Sequence, residues 1–219
     1  MLDKMNFKDK LLAIISGIEK TFHVDELAYL AVTSKVENPL RDRIAFSLYS
    51  QMGKDLLVNR EWRAQNSKSR ADIAITDFKN TVKYMIEFKA HSAPSYEKGY
   101  SELIRADLKK MYNTANDSTE LYFVLFFNHI QSIRTIDRKF ENSIKYYGLI
   151  NKALEHQEFK LDMSTYIKRH WERHLEDIGL PLTMSSVTII SAGRYHDMPV
   201  FIHSYVIGPF FRNELARIR

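Results

Sequence analysis

Cysteine is absent from the 219-residue sequence. Disulfide frameworks, Cys-ligated zinc and thiol nucleophiles are thereby excluded, and nothing points to an oxidising compartment. Glycine and proline are scarce, at seven and five residues. With no repeat or low-complexity tract either, one compact unit is the simplest organisation. The opening stretch MLDKMNFKDKLLAIISG carries three lysines and two aspartates around a short apolar segment. It has neither a small-residue cleavage site nor the length to span a bilayer, so a cytoplasmic location without a membrane partner is expected. P-loop, dinucleotide-binding glycine and G-x-S-x-G patterns are missing, which leaves nucleotide-driven motors, dehydrogenases and α/β-hydrolases unsupported.

What is present suits a packed domain. Hydrophobic residues make up 45% of the chain, enough for a substantial interior. A net charge of +5 and a pI near 9.2 favour an acidic partner such as nucleic acid. Phe7, Leu11, Ile14, Ile15, Ile18 and Phe22 recur at helical spacing behind Asn6, predicting a helix over 7–22, with a short helix near 25–32. Leu40, Ile44, Leu48 and Met52 mark the next helical face, with Pro39 in its first turn and Gly53 as its stop. Segments 56–62, 71–76 and 82–90 read as a meander of three strands. A helix over 100–115 and an apolar strand over 121–127, buried on both faces, complete the core. Further helices are expected at 137–155 and 164–178, and strands at 187–191 and 200–207. The fold class is α/β, a central mixed β-sheet flanked by helices with a C-terminal helical and β-hairpin elaboration. Residues 1–219 form a single domain in this reading, with N-terminal helices over 1–34, a core over about 35–130 and the elaboration over 131–219.

The chemistry falls on the middle strands. Side chains alternate faces along a strand, so Glu87 and Lys89 share one side while Tyr84, Ile86 and Phe88 share the other. On the preceding strand Ala71, Ile73 and Ile75 fill one face and leave Asp72 on the opposite one, in a position to meet Glu87 across the ladder. Two carboxylates and the Phe88 carbonyl would make half of an octahedral oxygen shell for Mg²⁺, leaving the other positions to water and phosphate.

Two motifs, S-R-A-D-I-A-I with Asp72 and Y-M-I-E-F-K-A with Glu87 and Lys89, resemble those of the PD-(D/E)XK nuclease family. Fourteen residues separate Asp72 from Glu87, a hairpin distance. Ala71 stands where the family motif has proline. The resemblance covers roughly residues 35–130 and implies a restriction-endonuclease-like core. It also implies a Mg²⁺-dependent deoxyribonuclease, with Mn²⁺ as a substitute, of restriction or phage-defence type. Asp72 and Glu87 would be the metal ligands together with the Phe88 carbonyl, and Lys89 would sit near the attacking water. The family's helix glutamate matches Glu37, although Ser34-Lys35-Val36-Glu37 also fits a capping box. The alternatives from another class are a non-catalytic nucleic-acid-binding module and a nuclease subunit that needs a partner.

DNA contacts would come from Arg63, Lys68 and Arg70, with Arg60, on the approach to Asp72, and from Arg105 and Lys109, with Lys110, on the following helix. By analogy with restriction-type enzymes, strands 187–191 and 200–207 would supply a homodimer interface. His170 and His174 lie one helical turn apart, but without the H-E-x-x-H order, and two ligands do not make a zinc site even with His196, Asp197 and His203 in the same region.

Overall fold

Asn6 starts the first helix by accepting the Asp9 N–H at 2.9 Å, satisfying one of the donors that every helix start leaves open. The structure, a computed structural model, describes residues 6–64, 69–92, 100–155, 162–179 and 184–215, apart from the side chains of 100, 163, 164, 170, 171, 174 and 175. Helix α1 (Phe7–Ser16) stops at Gly17, and Ile18–Thr21 tighten into a 3₁₀ turn. The expected helix over 7–22 is therefore broken, because glycine is a poor helix former and a good terminator. The apolar spacing still holds, since Ile18 is fully buried. Helices α2 (Glu26–Thr33) and α3 (Glu37–Gln51) follow, and α3 turns Leu40, Ile44 and Leu48 inward and ends just before Gly53.

Strands β1 (Leu56–Arg63), β2 (Arg70–Asp77) and β3 (Val82–Ser92) form an antiparallel meander. Helix α4 (Tyr100–Thr114) then crosses over to β4 (Glu120–Ile130), which runs parallel to β3, as a parallel pair requires a long connection. Beyond it come α5 (Tyr147–Leu154), α6 (Met163–Asp177), β5 (Ser185–Tyr195), β6 (Met198–Phe210) and α7 (Arg212–Leu215). The sheet is mixed and six-stranded, in the order β1-β2-β3-β4-β6-β5. The C-terminal hairpin expected as an elaboration is thus part of the central sheet, with β6 paired antiparallel to β4.

The expected helix over 137–155 is also broken. Asp137 accepts the Lys139 N–H and opens only a 3₁₀ turn, Arg138–Phe140, and regular helix waits until Tyr147. The Lys145 N–H in between is committed to the Val32 carbonyl at 3.0 Å, so the segment docks on α2 instead of closing helical bonds.

Alternation along β3 assigns the helices to faces. Phe7 of α1 stacks on Tyr84 with ring centroids 3.9 Å apart, whereas the odd-numbered Glu87 and Lys89 meet Lys110 and Asp107 of α4. Helices α1 and α4 therefore cover opposite faces. Strand β4 runs through the middle, and none of residues 121–126 is more than 1% exposed. Two covered faces explain its unbroken apolar sequence. Among the described residues, no helix is long and apolar enough to cross a membrane.

Candidate active site

The β2–β3 ladder runs as far as Ile73 opposite Ile86 and stops. One residue further on Asp72 faces Glu87, and side chains take over from the backbone. Asp72 N–H donates to Glu87 Oε1 at 3.3 Å, and Phe88 N–H donates to Asp72 Oδ2 at 2.8 Å. Past the end of the ladder, Ala90 N–H donates to Glu37 Oε2 at 2.9 Å. Two carboxylates thus cap successive N–H groups of β3 that β2 no longer reaches, roughly two strand residues or about 6.6 Å apart. The N–H and C=O of one strand residue point to the same edge, so the Phe88 carbonyl faces the gap as well.

This geometry removes one of the two readings of Glu37. The cap position of α3 is Val36, which makes no side-chain cap bond, and Ser34 Oγ donates to the Leu30 carbonyl instead. The capping box is not formed, and Glu37 reaches the strand edge.

Glu87 is 2% exposed. Burial, and then the charge of Asp72, push its carboxyl up to about 8 despite the Lys110 ammonium, whose Nζ lies 2.5 Å from Oε2. Burial pulls the Lys110 ammonium down, but the charge and hydrogen bond of Glu87 outweigh it and leave its pKa raised. Burial is thus the chief cause at Glu87 and the neighbouring acid charge the cause of the rise at Lys110.

Lys89 pairs with an acid of α4. Its Nζ lies 2.7 Å from Asp107 Oδ2, an ion contact without hydrogen-bond alignment, and Lys110 Nζ is 3.9 Å from the other oxygen of Asp107. Lys89 and Glu87 share a face of β3, and Asp107 and Lys110 of α4 link them in a chain of ion contacts from Lys89 to Asp107 to Lys110 to Glu87. Asp72 has a neighbour of its own in buried Arg41 of α3, whose Nη1 lies 3.3 Å from Oδ1 and also bonds Glu61 of β1.

Arg41, Glu61 and Asp107 escaped the sequence reading. Glu37 and Arg41 are four apart on one helix, and Asp107 and Lys110 three apart on another, spacings that place each pair on one face. That was the available signal, but nothing in it says which face meets the strand edge.

The basic residues divide. Arg63 and Arg70 are exposed and pair across the β1–β2 ladder, and Lys109 is exposed on α4. Arg105 donates to the Asp177 carbonyl at 2.6 Å, tying α4 to the end of α6, and Lys110 serves Glu87. Lys68 lies outside the described residues. So do the side chains of His170 and His174, while His203 is buried on β6 with its ring 5.0 Å from that of His129.

The donor set suits a hard divalent ion: Asp72 and Glu87 are joined through one hydrogen bond and the Phe88 carbonyl faces the same gap. Among the described residues, no group of three or more His, Cys, Asp or Glu is arranged to hold a metal. An ion here would therefore rest on two carboxylates and one carbonyl, with water completing its shell. No family model, curated protein or solved structure matches the chain.

Proposed function

We propose that this chain is a Mg²⁺-dependent deoxyribonuclease with a restriction-endonuclease-like core, as its resemblance to the PD-(D/E)XK family implies. One observation carries the reading: Asp72 and Glu87 converge where β2 leaves β3, with the Phe88 carbonyl on the same edge. Mg²⁺, or Mn²⁺ in its place, would lower the pKa of an attacking water and neutralise charge growing on the phosphate. Asp72, Glu87 and Phe88 would hold it. Glu37, anchored on the Ala90 N–H, would orient water at the neighbouring position on the edge. Lys89 would stabilise the phosphate oxygens after leaving Asp107. Arg63, Arg70 and Lys109 would meet backbone phosphates, which position DNA without reading its sequence. A cytoplasmic restriction or phage-defence role and a homodimer belong to the same reading.

The contact between Lys89 and Asp107 favours a second reading, in which the chain binds nucleic acid without cutting it, or cuts only when a partner subunit redirects Lys89. Digestion of supercoiled plasmid with Mg²⁺, Mn²⁺ and EDTA tests both. The nuclease reading expects metal-dependent nicking or linearisation that Asp72→Asn abolishes. Salt-sensitive DNA retention without cleavage supports the second reading, and neither cleavage nor retention sinks both.

A further inference from the structure

The β1–β2 ladder passes from Arg60 opposite Ile73 to Trp62 opposite Ala71, which sets Glu61 against Asp72. Like charges facing each other across a ladder repel, and here one of the two is the acid that would hold the metal. Glu61 also adopts φ of 51° within the strand, a left-handed conformation uncommon for any residue but glycine. Such outliers persist where surrounding contacts hold them in place. Two cations contact Glu61: Arg70 Nη1 at 4.0 Å from Oε2, and Arg41, 8% exposed, which projects from α3 and bonds Glu61 and Asp72 through the same Nη1. Its contact to Glu61 is the shorter, and that to Asp72, at 3.3 Å, sits at the long end of the hydrogen-bond range. Asp42 adds a third carboxylate, 3.4 Å from Arg41 Nε.

We infer that Arg41 is a placeholder cation: it fills the charge deficit at Asp72 while no metal is bound, and Glu61 holds it so that it can yield to one. The inference rests on the metal-binding reading of Asp72. Two cations sharing one carboxylate repel each other, so Arg41 opposes metal loading, and the strength of that opposition depends on how far Glu61 draws the guanidinium away. Glu61 thereby sets metal affinity without touching the ion. A planar guanidinium with several donors suits this task, because it can keep Glu61 and Asp42 while giving up Asp72.

Calorimetric titration of Mn²⁺ into the full chain, without DNA, tests this. Arg41→Gln should tighten binding at least about tenfold, since a unit charge a few ångströms away in a half-buried site is worth that much or more. Glu61→Gln in the wild-type background should weaken it by a similar factor, because Arg41 then settles on Asp72. Added to Arg41→Gln, the same substitution should change little, the non-additivity expected of a residue acting through another. Weaker or unchanged binding in Arg41→Gln overturns the inference, as does an equal loss from Glu61→Gln in both backgrounds, which would make Glu61 a direct ligand. If Arg41→Gln does not fold, Glu61→Gln alone decides, and unchanged affinity overturns the proposal. The underlying reading fails differently, through a wild-type chain that binds no Mn²⁺ or an Asp72→Asn variant that binds it as well as wild type.

Discussion

Asp72 and Phe88 are joined across a gap in the sheet, the Phe88 N–H donating to Asp72 Oδ2 at 2.8 Å where the β2–β3 ladder has already ended. The side chain replaces a strand partner, so the position of the acid and the integrity of the strand edge are one feature. A metal at Asp72 would be held against backbone rather than a mobile loop, which favours a fixed geometry.

Asp72→Asn separates these two duties. The amide oxygen still accepts the Phe88 N–H, so the melting temperature should fall by only a few degrees, about the equivalent of 1 kcal/mol. The negative charge is gone, and both Mn²⁺ binding by calorimetry and plasmid cleavage should disappear. Cleavage that survives in this variant would refute the site.

Glu37 invites the same comparison at the next N–H along β3. Glu37→Gln keeps an acceptor for Ala90 and should leave urea unfolding nearly unchanged while lowering the cleavage rate. Glu37→Ala leaves the Ala90 N–H without its partner and should cost about 1–3 kcal/mol in the same denaturation experiment.

Lys110→Met removes the ammonium that faces the almost fully buried Glu87 carboxylate. Breaking a buried pair from one side costs about 3–5 kcal/mol. Lys110 is partly exposed, and Glu87, raised to about 8, is ionised for most of the time only above that pH, so a loss of roughly 1–3 kcal/mol is expected by urea unfolding at pH 9 and a smaller one at pH 7. An unchanged midpoint would show that the pair contributes no net stability.

His129 and His203 are expected to make the fold sensitive to acid. Burial, with the neighbouring His203 ring as a second cause for His129, lowers the His129 pKa from 6.5 to about 3, and burial lowers that of His203 from 6.5 to about 4. The folded protein resists protonation that the unfolded chain accepts, so this contribution is fully present above pH 6.5. It is lost as pH falls from there through about 4 for His203 and about 3 for His129. Across its window His203 should remove roughly 3 kcal/mol and His129 roughly 5 kcal/mol, as upper limits. Chemical denaturation between pH 7 and pH 4 should show the decline, and His203→Phe should flatten it.

Arg63 and Arg70 stand opposite each other on the ladder, and Glu61, 4.0 Å from Arg70, offsets only part of this exposed like-charged pairing, which a bound anion would relieve further. Replacing either with alanine should weaken DNA retention uniformly across sequences and reduce the slope of log K against log salt by about 1. Equal slopes in wild type and variants would remove these residues from the interface.

Much of the arrangement was legible in the residues. The alternation in 82–90 put Glu87 and Lys89 on one face, and the apolar run at 121–127 announced a strand covered on both sides; residues 121–126 are buried in full. Helix boundaries failed where local pattern and distant contact disagreed. Gly17 stopped a helix that the apolar spacing carried onward, and Lys145 gave its N–H to Val32 rather than to a helical neighbour. Strands β5 and β6 were visible as strands, but their place beside β4 was not, because pairing partners are set by long-range packing that a local period does not encode.

By itself the sequence determined which residues share a face: strand and helix periods are properties of the backbone, present wherever the element forms. The tertiary structure alone decided which charges meet across faces. Arg41 reaches Asp72, Asp107 pairs with Lys89, and Glu37 takes the Ala90 N–H in place of a cap, because the splay of β2 from β3 leaves open donors and poorly solvated acids that only chain segments distant in sequence can satisfy.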